Sequence, residues 1–301
     1  MADASGNTTS VVVTRVYSAY SAITLVLNTL LILVFYKKSL LRRSYRFYIF
    51  SLALVDILMA VLVDSIGAYA NSSPGRALSS RGCQYYGAVA SFVGFTSVHH
   101  LTAIYADRWY SIRFVMRRKP SKRVTLRVIL ALWISGLIWA IPPLVGWSSY
   151  AHQGSFSHCS VKWFSVDPKD YSYTVVIFTK FYFFPIAFMT FSYVHVFVIT
   201  RRMAKNATQL WGEKAAATAK SIKSESKAAE IALVMVLSFL IAWTPYAVVS
   251  FYYSLRGPTG VPLMAAMLPS LFAKASSLFN PIIYFAMSRE FRNSCRDFAR
   301  R

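Results

Sequence analysis

The chain has 301 residues, 56% of them hydrophobic and 16% aromatic but only 15% charged, and its mean hydropathy is +0.44. A soluble domain runs about 45–50% apolar and about 25% charged, so this composition excludes a protein solvated on all sides. The 33 Lys and Arg against 11 Asp and Glu, a net charge of +22, would suggest nucleic acid in a soluble protein, so the placement of the bases decides.

The chain opens without a basic segment and short apolar core, so no cleavable leader is expected and the first apolar run inserts itself. Seven runs are long enough to cross about 30 Å of hydrocarbon. They cover residues 11–36, 45–70, 82–112, 124–146, 173–200, 228–255 and 261–287. The expected architecture is an all-α membrane protein, a seven-helix bundle over 1–287, followed over 288–301 by a short amphipathic cytoplasmic helix. On that helix Cys295 is either an acylation site or a free thiol.

The links 37–46, 108–127 and 201–227 and the tail 289–301 carry 25 of the 33 bases. By the positive-inside rule these face the cytoplasm, the N-terminus lies outside and the chain is a multi-pass plasma-membrane protein. The excess charge is then a topology signal and an attraction to anionic membrane lipids, with no nucleic acid implied. Sequons at Asn7 and Asn71 fall on the outer side. Cys83, at the outer start of the third run, and Cys159, in the second outer loop, lie where a disulfide could form; three unpaired thiols are the bland alternative. No Cys and His spacing suggests a metal.

Several motifs punctuate the runs. The third ends in Asp107-Arg108-Trp109, where a half-desolvated Arg needs acids: Asp107 beside it and Glu225 at the inner end of the sixth run. The sixth carries Trp243-Thr244-Pro245-Tyr246, with Trp243 and Tyr246 on one face above a proline kink. The seventh carries Asn280-Pro281-Ile282-Ile283-Tyr284, in which Pro281 opens the backbone ladder and Asn280 offers an amide to the freed groups. Asp56, mid-membrane in the second run, must face the bundle, where it could bind water, an ion or Asn280.

Taken in order and spacing, these motifs and the cysteine pair make the chain resemble the rhodopsin-like G-protein-coupled receptors over nearly its whole length. Trp109 stands where that family usually has tyrosine. Lys274 narrows the resemblance, because it is too deep to snorkel, its neighbours are small or apolar, and an amine kept neutral there is a nucleophile toward aldehydes. It lies six residues before Asn280, as in animal opsins, where that lysine binds retinal. The segment from Trp139 to Trp147 also looks like the opsin fourth helix and its outer exit.

The resemblance implies a light-activated receptor that binds 11-cis-retinal through a Schiff base at Lys274, isomerises it to all-trans and activates a heterotrimeric G protein, with arrestin as a further partner. Tyr86, Gly87, Ala90, Gly94, Phe178, Phe181, Tyr182, Trp243, Tyr246 and Ala273 are the candidate retinal pocket, although the same residues serve ordinary helix packing. Asp56, Asp107, Arg108, Glu225, Pro245, Asn280, Pro281 and Tyr284 would be the activation switches. A retinal photoisomerase and a receptor for a diffusible ligand are the alternatives. The reading Ser288-Arg289-Glu290 matches neither the vertebrate nor the invertebrate visual pattern, which points to an invertebrate or non-visual opsin.

One departure matters. A protonated Schiff base needs an anion nearby, and the two positions where opsins usually place a carboxylate are here Tyr86 and Gln153. Asp64 is therefore the expected counterion, with a bound chloride, a neutral network of Tyr86 and Ser270, or an uncharged base as the alternatives. Lys180 is a second intramembrane lysine, for which snorkelling outward is the simplest account. His99 and His100 read as packing residues, and His158 as a residue that tunes absorption with pH.

Overall fold

In hydrocarbon every backbone N–H must find a carbonyl within its own segment, so uninterrupted apolar runs fold as helices. The computed structural model describes residues 2–37, 40–41, 44–73, 76–114, 120–152, 159–163, 165, 167–207, 213–256 and 263–300, the side chains of 2–10, 203–207, 213–222, 256, 263–267 and 299 excepted. The chain is a seven-helix membrane bundle with a short eighth helix. Helix α1 covers Ala2–Lys37; α2 covers Ser44–Leu58, a π-helical turn at Met59–Asp64 and Ser65–Asn71; α3 covers Ser80–Arg113. Helix α4 is Lys122–Ala140, and α5 is Pro168–Phe178, a second π-helical turn at Thr179–Phe183 and Phe184–Ala207. Helix α6 is Glu213–Arg256, α7 is Leu263–Lys274 and Ser276–Met287, and α8 is Arg289–Ala299.

Six of these helices are, among the described residues, long and apolar enough to cross a membrane. The seventh falls short only because it is broken at Ala275 into two pieces of 12 residues each. Helix α6 reaches back to Glu213, well before residue 228, because the stretch from 213 to 227 is rich in the strong helix formers Ala, Lys and Glu. Helix α4 stops at Ala140, short of residue 146, since Pro142 and Pro143 follow and cannot donate to the ladder.

Helix α3 lies against α2, α4, α5 and α6 and against both strands of a hairpin. A Cβ on Gly136 of α4 would run into the Thr96 hydroxyl of α3, so that crossing admits only glycine. The hairpin pairs β1, Tyr150–His152, antiparallel to β2, Cys159–Val161. A disulfide between Cys83 and Cys159 pins β2 to the first turn of α3. Pro143 cannot donate to the Trp139 carbonyl, and Leu144 donates to Ile141 and so leaves the Ala140 carbonyl without a helical donor. The Tyr173 hydroxyl donates to the Trp139 carbonyl at 2.7 Å and the Tyr150 hydroxyl to that of Ala140 at 2.9 Å, closing the bundle under the hairpin.

Candidate functional site

Lys274 is the last residue of the first half of α7. The break that follows turns Ser277 back to donate to the Lys274 carbonyl at 3.0 Å, and Asn28 of α1 donates to the Ser277 carbonyl, which Pro281 leaves without a helical donor, at 3.4 Å. The lysine side chain is 7% exposed. Its Nζ donates to the Tyr17 hydroxyl of α1 at 2.9 Å and to the Tyr86 hydroxyl of α3 at 2.7 Å, and lies about 5 Å from the centre of each ring. Asp64 is fully buried, and neither carboxylate oxygen has a hydrogen-bond partner among the described residues. The π-helical turn at Met59–Asp64 accommodates one extra residue and thereby turns Asp64 inward while Val61 faces out, 45% exposed.

A cavity of about 130 Å³ opens from the lysine. Ser270, Ala273 and Lys274 form its α7 side, Gly87, Ala90, Ser91, Gly94, Phe95 and Val98 its α3 wall, Phe239, Trp243, Tyr246 and Ala247 its α6 wall, and Ile177, Phe178, Phe181 and Tyr182 its α5 end. Met59 of α2 and the hairpin residues Cys159, Ser160 and Val161, with Trp163 just after them, complete it. Small residues on one wall and flat rings on the other shape a narrow apolar slot with a single amine at one side, a lining that fits a long flat polyene carrying an aldehyde. Tyr86 meets the lysine but does not line the slot.

The hairpin is seated by shape and hydrogen bonds. A Cβ on Gly87 would come within 2.5 Å of the Tyr150 ring, so glycine lets β1 lie directly on α3. Burial pushes the Tyr150 phenol up to about 12. Trp163 donates from its indole to the Tyr246 hydroxyl at 2.9 Å and to Ser160 at 3.0 Å, tying the end of the hairpin to α6.

The motif residues meet further along the bundle. The Trp243 indole donates to Ser276 of α7 at 3.0 Å, and the Asn280 amide donates to Asp56 at 2.9 Å. At the basic end Arg108, 2% exposed, pairs with Asp107 and with Glu225 of α6 at 2.7 Å, and its guanidinium sits 4.0 Å over the Tyr45 ring. Such a pair, desolvated on both sides, holds two helices together through charges that cannot be left alone. Tyr284 packs edge-on against Phe35 of α1 and Phe291 of α8, and Arg46 pairs with Glu290 of α8.

Asn71 is 5% exposed and its amide donates to the Gly67 carbonyl of its own helix at 2.8 Å. Lys180 is half-buried in the α5 π turn, with its amine over the rings of Trp139 and Phe181. His100 bridges the Thr96 carbonyl and the Ser51 hydroxyl, both at 2.8 Å, and His99 packs on Phe181. Gln153, His158 and the side chain of Asn7 lie outside the described residues. Sequence reasoning missed Tyr17, Trp163 and Ser276. Each is one aromatic or hydroxyl residue among many in its helix or loop, and only the fold brings it to the site.

The family described as seven-transmembrane receptors of the rhodopsin family matches residues 27–284. The melanopsin of Branchiostoma belcheri is 32% identical over 278 residues, 89% of this chain but 39% of that protein. The mouse protein named visual pigment-like receptor peropsin is 30% identical over 285 residues, 92% of this chain and 81% of its own. The crystal structure of squid rhodopsin superposes with a TM-score of 0.89 at 26% identity, covering 96% of this chain and 84% of that one.

Proposed function

The chain belongs to the rhodopsin family of seven-transmembrane receptors and within it to the animal opsins, and from that premise we propose that it is a light-activated receptor that holds 11-cis-retinal on Lys274 and activates a heterotrimeric G protein. When bound, retinal supplies the absorption of light and the change of shape to all-trans. The observation that carries the reading is the Lys274 amine, buried at one side of an aromatic slot and held by two phenols.

The residues divide the work. Tyr17 and Tyr86 aim the amine at the slot by accepting its hydrogen bonds, and Asp64 supplies the negative charge that a cation at Nζ needs. The hairpin and the disulfide keep water from the slot. Trp243 is both slot wall and hydrogen-bond partner of Ser276, so pressure on its ring acts on α6 and α7 together. Pro245 lies inside α6 two residues on and supplies the hinge. In the resting state Arg108 and Glu225 lock α3 to α6 at the basic end. A swing of α6 separates them and exposes the cleft between basic loops that a G protein enters. The basic loops then face the cytoplasm of a cell whose plasma membrane the chain spans, and the same face would meet arrestin and anionic lipid.

Light-dependent nucleotide exchange on a purified G protein tests this reading. The retinal-loaded chain should accelerate exchange on illumination and not in the dark. Light-driven production of free 11-cis-retinal without exchange would make it a photoisomerase instead. Exchange indifferent to retinal and light would make it a receptor for a diffusible ligand.

A further inference from the structure

The mechanism leaves one intramembrane cation unused. Lys180 lies in the π-helical turn of α5, half-buried, with Nζ 5.1 Å from the centre of the Trp139 ring and 5.8 Å from that of Phe181. A lysine charge at this depth is costly unless something answers it. Aromatic faces do so in part, but no carboxylate pairs with it among the described residues, and Asp170, the acid earlier on the same helix, is taken by Lys162 at 3.3 Å. The positive charge therefore stands uncancelled beside Phe181.

Phe181 is also a wall of the slot. It stacks on Phe95 of the α3 wall at 4.1 Å between ring centres, and both rings line the cavity; α5 packs on α3 and α6, whereas α7 packs on α6, α1 and α2, so Phe181 and Lys274 enter the slot from different sides. One aromatic layer, with little polarisability of the kind water offers, thus separates a fixed cation from the end of the slot remote from the reactive amine. We infer that Lys180 is a spectral-tuning residue, a fixed positive charge at the far end of the slot that moves the absorption of a bound polyene to shorter wavelength. The inference rests on the retinal reading above.

The physical reason is the direction in which charge moves. A conjugated chain whose positive charge sits at the lysine end in the dark carries that charge toward its far end on absorbing light. A cation already waiting at the far end repels the arriving charge, raises the excited state more than the ground state and widens the gap. Removing it should narrow the gap by a shift of roughly 5–15 nm, the size that Coulomb's law allows for part of a unit charge moving toward another through a medium of low dielectric.

The dark absorption maximum of the full retinal-loaded chain reads this directly. Lys180→Met should move the maximum to longer wavelength, Lys180→Glu further in the same direction, and Lys180→Arg should leave it in place. An unmoved or shortened maximum in Lys180→Met overturns the assignment, as does an equal shift in Lys180→Met and Lys180→Arg, which would mark packing and not charge. In the retinal-free chain Lys180→Met should change tryptophan emission, and the change should vanish in a Trp139→Phe background; unchanged emission also overturns it. A parent chain that forms no pigment defeats the retinal reading and this inference with it, whereas a pigment without the shift defeats this inference alone.

Discussion

The amine of Lys274 donates to the hydroxyl of Tyr86 at 2.7 Å, so α3 meets that nitrogen with a phenol and not with an acid. A phenol can orient an ammonium group but cannot neutralise it. The candidate for that role is Asp64 of α2, whose two carboxylate oxygens are buried and make no hydrogen bond among the described residues.

Asp64→Asn should therefore cost the retinal-loaded protein its visible band. With no negative charge opposite, the nitrogen sheds its proton and absorption moves into the ultraviolet at neutral pH. Absorption spectra in chloride-free buffer check this, and a visible band that survives there would transfer the role from Asp64 to another group.

That assignment also shows how far the residues alone could be read. Lys274, the Asp56–Asn280 pair and the Arg108–Glu225 pair were legible because each is a polar group that a membrane helix tolerates only with a partner, and each fell at a telling spacing. Asp64 could be singled out by elimination among few acids, but its inward aim depends on a π-helical turn that no periodicity announces. Tyr17 is one of several aromatics on α1, and nothing local marks it as a partner of a lysine 257 positions away. Asn71 matches a sequon, and its burial is not written in those three residues.

Glu225→Gln should raise signalling in the dark. Removing one partner of a buried charge pair typically costs about 3–5 kcal/mol. Here that cost falls on the state in which α3 and α6 are joined, so the population moves toward the open form. Nucleotide exchange by the unilluminated chain should rise several-fold over the parent; unchanged dark exchange would mean that the Arg108–Glu225 contact is not a lock.

Gly87→Ala should loosen the hairpin. The added methyl would sit within 2.5 Å of the Tyr150 ring, and overpacking of this kind costs about 1–3 kcal/mol. The thermal unfolding midpoint should fall, and Tyr150→Leu in the same chain should restore part of the loss by removing the ring face. A midpoint equal to the parent's would show that β1 can move away without penalty.

Cys295 is the one thiol outside the disulfide, and burial on α8 pushes it above the ordinary cysteine range. The thiolate is the reactive species, so raising the thiol lowers the thiolate fraction at neutral pH. Alkylation by iodoacetamide should be slower near pH 7 than for a free cysteine, and its rate should go on climbing after a free cysteine has reached its plateau. A rate that levels off with the free thiol would place Cys295 in water.

The most direct measurement is the site of covalent attachment. The full chain is incubated in the dark with 11-cis-retinal, reduced with borohydride, digested and weighed by mass spectrometry. One retinyl adduct is expected, on Lys274, and none in Lys274→Ala; an adduct on Lys180, or none on Lys274, would overturn the retinal assignment.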